Sequence, residues 1–299
     1  MIGNAFLGKL FVTDRFFTIA IRRKDSHVLY WKKPFVPDYI VPADRSKWVA
    51  DPMLAEANGK TYLFYEAVLG NKGHIEVAEV MEDCTLKNLK IVLQDEFHYS
   101  YPFVFQYEGN WYMIPESSAA NEVRLYQSVH FPDRWKLSTI LLEEKAVDTT
   151  VFQNNGQLYL ITFFLTQGSE KVIPHAYEFK LHGDEIGLKE IEWERYDELR
   201  VRGAGPFFRE EDKLIRPAQV NQEQRYGDGL VFYEVFTEDT YHESNLCEMD
   251  KEGLKAPNYY VDGLHTYCAS SKFEAIDIRC GVINLLKPFY KLLKKVRKI

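Results

Sequence analysis

Two aspartates occupy matching positions in short segments that lie far apart in the chain. Asp51 lies in Ala50-Asp51-Pro52-Met53-Leu54, and Asp148 lies in Val147-Asp148-Thr149-Thr150-Val151. Two carboxylates facing one pocket suit glycosidic chemistry, because one activates water or attacks as a nucleophile while the other protonates the leaving oxygen or tunes its neighbour. A structural role, in which each aspartate caps a turn or accepts backbone amides, is the alternative interpretation.

Glutamates form a second candidate set. Glu66 and Glu116 each interrupt an apolar run, at a point where a strand is expected to be buried. A charged group there is costly unless it is paired, and Arg202 or Arg216 could supply the partner. The pattern therefore predicts either structural salt bridges or residues for hydroxyl recognition and acid catalysis. His265 could bind an ion or a sugar, although a lone histidine is more often structural.

The segments with the two aspartates belong to a repeat. Its aligned positions are Asp51, Tyr101, Asp148, Gly205 and Leu264, at steps of 50, 47, 57 and 59 residues. The first three are followed by a turn glycine and then a tyrosine, so each unit indicates strand, turn, strand, with further alternating strands after it. About four strands per ~50 residues, repeated five times, predicts an all-β, five-bladed β-propeller. A β-sandwich is the alternative, but it would not need five spaced positions.

The ring must close, and the two chain ends suggest how. Only two short strands fit after Leu264, whereas the N-terminal segments Phe16 to Arg22 and His27 to Trp31 are strand-like. We expect these N-terminal strands to complete the last blade and so protect its edges. The predicted organisation is a propeller over residues 1–280 and a basic amphipathic helix over residues 281–299.

Composition limits the function. The chain has 299 residues, 15% of them aromatic, and a net charge of −7. Residues 281–299 carry +6, so the body carries −13 and is a poor match for nucleic acid. Four cysteines without a CxxC pair, and no signal peptide, favour a cytoplasmic protein with reduced thiols. The basic tail is typical of an anionic membrane surface, though it could also pack on the body or form a solubilising tail.

The motifs together resemble a known family. From about Phe16 to Cys280 the chain resembles the N-terminal domain of the glucosamine inositolphosphorylceramide transferase family. The resemblance rests on ordered motifs that include Asp51-Pro52, Ser100-Tyr101-Pro102, Ile114-Pro115-Glu116-Ser117, Asp148-Thr149-Thr150, Gly203-Ala204-Gly205-Pro206, Arg216-Pro217-Ala218-Gln219 and Gly263-Leu264-His265-Thr266. More broadly the chain is similar to five-bladed propeller glycosidases of the arabinanase and invertase type. That similarity implies a catalytic role for Asp51, a pKa-modulating role for Asp148 and sugar contacts near Gln219.

One departure from the glycosidase pattern matters. The glycosidases carry Glu-x-Pro in blade four as the general acid, whereas this chain has Ala204-Gly205-Pro206. Loss of a general acid costs ~10²–10⁴ in rate. Either another carboxyl takes the role, with Glu116 as first choice and Glu66 as second, or the protein does not hydrolyse glycosides this way. The transferase activity of the family is expected to lie in a separate domain.

The resulting prediction is a carbohydrate-active propeller, glycosidase-like or transglycosylase-like, that acts on a cell-surface or lipid-linked glycan during glycan or polysaccharide assembly. The alternative is a non-catalytic glycan-binding or scaffold module that partners a glycosyltransferase or formyltransferase. No cofactor is predicted, although a divalent ion in the channel stays open, and no Walker A or GxGxxG pattern supports a nucleotide-sugar site. The predicted catalytic residues are Asp51, Asp148 and Glu116, and the predicted substrate-binding residues are Glu66, Tyr101, Arg202, Arg216, Gln219 and His265.

Overall fold

Within the residues described by the computed structural model, twenty strands form five antiparallel four-stranded sheets. The structure describes residues 12–24, 34–166, 168, 171–183, 185–222, 225–237, 240–256, 259–283 and 286. The prediction of a five-bladed propeller is confirmed. The tail predicted as a basic amphipathic helix lies outside the described residues except at 281–283 and 286, and so does the predicted strand His27 to Trp31.

The first four blades follow the chain in order. Blade one contains β3 (Lys47–Ala57), β4 (Lys60–Leu69), β5 (Lys72–Val80) and β6 (Leu86–Leu93). Blade two contains β7 (Ser100–Tyr107), β8 (Asn110–Glu116), β9 (Val123–His130) and β10 (Arg134–Leu142). Blade three contains β11 (Ala146–Asn154), β12 (Gln157–Leu165), β13 (Val172–His182) and β14 (Glu185–Ile191). Blade four contains β15 (Phe208–Glu210), β16 (Lys213–Gln222), β17 (Arg225–Thr237) and β18 (Tyr241–Asp250).

Blade five joins the two ends of the chain. It contains β19 (Tyr260–Ala269), β20 (Phe273–Ile283), β1 (Val12–Arg23) and β2 (Tyr39–Ile40), in that spatial order. β1 pairs antiparallel with β20, so an N-terminal strand lies inside the last blade. β20 ends at Ile283, three residues beyond the propeller boundary predicted at residue 280.

The repeat detected in the sequence corresponds to a hairpin and a bulge. The turn glycines Gly59, Gly109 and Gly156 have φ of 76°, 79° and 80°, and each follows another residue with positive φ, as a tight two-residue hairpin turn requires. At the start of the innermost strands two residues stand opposite one of the partner strand, for example between Ala50 and Met53 of β3. The extra residue bends the strand and re-aims its side chain.

The bulges correct the alignment of the last repeat unit. The pairing of β3 skips Asp51 and Pro52, and that of β19 skips His265 and Thr266. His265 is therefore the structural counterpart of Asp51, whereas the sequence alignment placed Leu264 there. The difference is physical: Leu264 is fully buried in the apolar core of blade five and remains in the regular ladder.

Candidate functional site

A small cavity lies on the propeller axis, where the bulges of the innermost strands converge. Its volume is about 180 Å³. All five blades contribute to its lining, which consists of Phe17, Trp48, Asp51, Glu66, His98, Ser100, Glu116, Asp148, Arg202, Tyr226 and His265. Six of the nine residues predicted for catalysis or substrate binding therefore meet in one place, although they are far apart in the sequence.

A layer of hydrogen bonds, here called the plug, crosses the axis beneath this cavity. The Asp51 carboxylate accepts hydrogen bonds from the Tyr101 backbone N–H at 3.1 Å and the Thr266 hydroxyl at 2.8 Å. The Tyr101 hydroxyl lies 3.0 Å from Thr150 Oγ1 and accepts the Gly205 N–H at 2.8 Å. The plug therefore joins one residue each from blades one, two, three and five with Gly205, which lies just before the first strand of blade four.

Tyr101 was predicted to bind substrate, and the structure corrects this prediction. Its side chain is fully buried and its hydroxyl is used inside the plug. Its backbone has a φ of 41°, in the left-handed region that a residue with a bulky side chain rarely adopts. Tyr101 thus lies below the cavity and closes it, rather than lining it.

Asp51 is a buried carboxylate at the base of the cavity. Burial raises its pKa to about 8, opposed by His265 and reinforced by the neighbouring carboxylates of Glu66, Asp277 and Asp148. Its φ of 52° is a second left-handed value at a bulge. A carboxyl with this pKa is largely protonated at neutral pH, so Asp51 must lose a proton before it serves as a base or nucleophile.

Asp277 supports the same corner of the cavity from behind. Its fully buried carboxylate accepts backbone N–H groups from Asp51 at 3.0 Å, His265 at 3.0 Å and Thr266 at 2.8 Å, and it forms an ion pair with His265 Nδ1. Burial opposes protonation of His265, but the Asp277 carboxylate outweighs it and raises the histidine pKa. His265 also stacks on Phe17, with ring centroids 4.4 Å apart. One carboxylate thus fixes two of the cavity's bulges.

Three of these residues are candidate ligands for a divalent ion in the channel, which the sequence neither predicts nor excludes. Asp51, His265 and Asp277 have possible ligand atoms within 4.8 Å of one another. Both carboxylates already accept hydrogen bonds from the protein, and Asp277 accepts three backbone amides. An ion bound there would have to displace part of this internal network.

Asp148 is held against an arginine on the opposite wall. Arg202 Nε donates to Asp148 Oδ2 at 2.5 Å, and the Gln219 side-chain amide lies 3.4 Å from the same oxygen. Gly203 makes this packing possible, because a Cβ there would lie 2.8 Å from the Asp148 Cβ. Gln219 was predicted to bind substrate, but it lies behind the cavity and also donates to the Gly203 carbonyl at 2.7 Å. Gln219 therefore holds Asp148 in position from behind the cavity.

The carboxyl of Glu116 has a raised pKa, as a proton donor requires. Burial, followed by the nearby Asp148 carboxylate, raises its pKa to about 7, against the lowering effect of Arg202. The Ser118 hydroxyl donates to its Oε1 at 2.8 Å, and Arg202 Nη2 lies 3.8 Å from its Oε2. Because its side chain is 14% exposed and lines the cavity, its carboxyl is accessible to a ligand.

Glu66 is paired with a histidine that sequence reasoning missed. Its Oε1 lies 2.7 Å from His98 Nε2. The Gly73 backbone N–H donates to His98 Nδ1 at 2.9 Å, so Nε2 carries the proton that points at Glu66. This pair lies at the outer rim, where the His98 side chain is 38% exposed.

Arg216 was predicted to contact sugar, but the structure does not place it in the lining of the cavity. The side chain is fully buried away from the cavity, where it forms a bidentate ion pair with Glu243 and donates to the Val201 carbonyl at 2.9 Å. The rings of Phe163, Trp193 and Tyr233 surround its guanidinium at 5.5 to 5.7 Å. It stabilises blade four.

Some functional positions lacked a usable signal in the sequence. Phe17, Trp48, His98, Ser100 and Tyr226 line the cavity but were not selected. Asp277 did carry a signal, because it interrupts the apolar pair Ile276 and Ile278 just as Glu66 and Glu116 interrupt theirs. The criterion that selected the glutamates would also have found this aspartate.

Fold and site together define a five-bladed propeller with a blind, carboxylate-lined cavity on its axis. The sequence matches the family described as "Glucosamine inositolphosphorylceramide transferase 1, N-terminal" over residues 40–267, and the chain belongs to this family. The family predicted from the motifs is thereby confirmed.

A plant relative gives the scale of the similarity. The chain is 33% identical over 227 residues to glucosamine inositolphosphorylceramide transferase 1 of Oryza sativa subsp. indica. The alignment covers 71% of this chain and 30% of the rice protein. The chain therefore spans about 30% of the length of this curated relative.

Two solved structures share the fold. A β-1,2-mannobiose phosphorylase from Listeria innocua aligns with a TM-score of 0.56 and 11% identity, over 91% of this chain and 99% of that one. An α-L-arabinofuranosidase from Podospora anserina aligns with a TM-score of 0.55 and 9% identity, over 79% of this chain and 91% of that one. At these identities the likeness establishes the propeller architecture. No helix in the described part of the chain has the length and apolar composition needed to cross a bilayer.

Proposed function

We propose that this chain is a carbohydrate-active propeller that acts, in a glycosidase-like or transglycosylase-like manner, on a lipid-linked or cell-surface glycan. The observation that carries the proposal is the convergence of four carboxylates, an arginine and several aromatic rings on one axial cavity. Carboxylates and arginine bond sugar hydroxyls, and aromatic faces pack on sugar rings. The family description, which names glucosamine and inositolphosphorylceramide, supports a glycolipid sugar as the ligand.

The proposed chemistry assigns one role to each carboxyl. Glu116, with a pKa of about 7, gives its proton to the leaving glycosidic oxygen. Asp51, once ionised, takes the proton of the attacking water or acceptor hydroxyl, or itself attacks the anomeric carbon. Asp148 stays bound to Arg202 and stabilises positive charge that develops on the sugar ring.

A second candidate is a glycan-binding module without catalysis, which presents a glycan to a glycosyltransferase or formyltransferase. Two observations favour it. Both oxygens of Asp51 already accept hydrogen bonds in the plug, and Ala204 stands where the arabinanase-type glycosidases carry their acid. Under this proposal the raised pKa values of Asp51 and Glu116 would follow from burial and neighbouring carboxylates and would serve no catalytic step.

Turnover and binding measured side by side separate the two candidates. We expect Asp51→Asn to abolish sugar release from a glucosamine-bearing inositolphosphorylceramide, followed by mass spectrometry, without a loss of folding. Glu190→Gln is the matched control, because that carboxylate is 59% exposed on blade three. Equal glycan affinity without turnover in either protein would favour the binding module. Neither binding nor turnover would contradict both.

We also propose a cytoplasmic protein that associates with the inner membrane face through its basic tail. The six cations in residues 281–299 support this, because cationic amphipathic segments bind anionic lipid surfaces. Since β20 extends to Ile283, a truncation that removes residues 287–299 spares the last strand. We expect this truncation to abolish co-sedimentation with phosphatidylserine vesicles. Unchanged sedimentation would overturn the anchor.

A further inference from the structure

The axial cavity is closed at its inner end. Tyr101 spans the axis in the plug, and Tyr101 and Thr266 are both fully buried. The outer rim is more open, since His98 is 38% exposed and Trp48 is half-buried. A ligand therefore enters and leaves through the same mouth.

The cavity is also small. Its volume of about 180 Å³ lies below the roughly 300–1,000 Å³ that is usual for pockets binding drug-sized ligands. A single sugar ring is a suitable occupant. Because the plug blocks the inner end, a glycan cannot thread through the site and place an internal residue there.

The walls carry four carboxyl groups, and they become more negatively charged as Glu116 and Asp51 ionise, around pH 7 and pH 8. Asp51, Glu66, Glu116 and Asp148 line the cavity, and the one arginine of its lining, Arg202, is already bound to Asp148. Like charges repel strongly where water is largely excluded. The raised pKa values of Asp51 and Glu116 have neighbouring carboxylates among their causes, in agreement with this repulsion.

We propose that the cavity receives the terminal, uncapped residue of a glycan, and that this residue carries no carboxylate, sulfate or phosphate. The inference rests on the proposed function, that is, on a sugar as the ligand of the cavity. It adds that recognition occurs at a chain end and that anionic groups elsewhere in the glycan lie outside the cavity.

Matched oligosaccharides test both parts. The protein is applied at pH 9, where Asp51 and Glu116 are both largely ionised, to oligosaccharides immobilised through their reducing ends, in sets of three. Each set holds a neutral chain, the same chain with a terminal uronic acid, and the same chain extended by one residue that the protein does not bind as a terminus. We expect the uronic-acid chain to bind at least about tenfold more weakly because of like-charge repulsion in the cavity. We expect a similar loss for the extended chain, because the small, closed cavity cannot hold an internal residue. Glu190→Gln should behave as the wild type.

The binding results that would overturn each part of the proposal differ from one another. Equal binding of the extended chain would overturn end recognition, and equal binding of the uronic acid would overturn charge exclusion, while the proposed carbohydrate function would stand. No binding to any chain would overturn the proposed function and this inference with it.

A substitution of Glu116 separates the effect of wall charge on binding from the effect of cavity shape. Glu116→Gln removes one wall charge while keeping the side chain's size, and measurement at pH 8 ensures that wild-type Glu116 is largely ionised. We expect the preference for the neutral over the uronic-acid terminus to fall several-fold in this variant. An unchanged preference would show that shape excludes the anion and would overturn the role of charge.

Discussion

At the scale of single residues, the cavity contains carboxyl groups whose ionisation is unfavourable because they are buried. Glu116 has a carboxyl pKa of about 7 because burial and Asp148 disfavour its ionised form. A folded-state pKa above the ordinary value of 4.5 means that ionisation is harder in the folded protein than in the unfolded chain. The stability that this group contributes is therefore complete below pH 4.5 and is lost as pH rises through about 7.

The Glu116→Gln substitution should remove this loss. We expect the variant and the wild type to have similar free energies of unfolding near pH 4.5, and the variant to be more stable by up to about 3 kcal/mol at pH 9. Denaturant unfolding at pH 5, 7 and 9 measures the difference, with Glu190→Gln as the exposed control. A gap between variant and wild type that does not grow with pH would refute a raised Glu116 pKa.

The same residues predict the pH dependence of any turnover. The active form needs Glu116 protonated and Asp51 ionised, and their pKa values are about 7 and about 8. A plot of kcat/KM against pH should therefore be a narrow bell with its maximum between pH 7 and 8. In Glu116→Gln we expect kcat to fall ~10²–10⁴-fold and the decline on the alkaline side to vanish. A broad plateau from pH 5 to 9 would assign the acid and base roles elsewhere.

At the scale of elements, the bulges place the site. Asp51, Tyr101 and Asp148 each take a positive φ at the start of an innermost strand, where ordinary pleating would turn their side chains into a blade. Segments that pack against these three residues must therefore leave space for them. Gly203 does so for Asp148, since its own Cβ position lies 2.8 Å from the Asp148 Cβ and 3.1 Å from the Asp148 carbonyl oxygen.

Gly203→Ala tests this fit. The added methyl must displace Asp148 or the backbone, at a cost of about 1–3 kcal/mol in unfolding free energy. We expect lower stability together with weaker glycan binding. Gly187→Ala on β14 is the matched control, because nothing lies within 4 Å of its Cβ position. Equal melting temperatures of the two variants would show that Asp148 is not confined in this way.

At the scale of the whole molecule, closure of the ring also builds the site. β1 supplies Phe17, which stacks on His265, and Arg22, which pairs with the buried Glu274 of β20 at 2.5 Å. Without β1, β20 would present an open edge and the cavity would lose one wall. Closure of the ring and the lining of the cavity therefore depend on the same strand.

A truncation and a circular permutant test this dependence. Removal of residues 1–41 should lower the melting temperature, promote aggregation and abolish glycan binding. Val12 pairs with Ile283, so residues 12–41 can be joined behind residue 283 by a short turn. We expect the permutant that starts at residue 42 to recover both stability and binding. A truncated chain as stable as the full one would contradict a structural role for β1.

Local signals were enough to predict the repeat, the five blades and the family. These signals are properties of short segments: the turn glycines, the alternating strands and the spacing of Asp51 and Asp148. They recur because each blade packs its four strands in the same way. The burial of Glu66 and the half-buried position of Glu116 were also predictable, since each charge interrupts an apolar run.

Only the tertiary structure decided which of two chemically similar residues faces the cavity. Arg202 and Arg216 could both pair with a cavity carboxylate on sequence grounds, but Arg202 does so whereas Arg216 pairs with Glu243 inside blade four. His98 reaches Glu66, and Tyr101 closes the axis instead of lining the cavity. These outcomes depend on one-residue bulges and on contacts between blades, which arise from the three-dimensional register of strands and leave no periodic trace in the sequence.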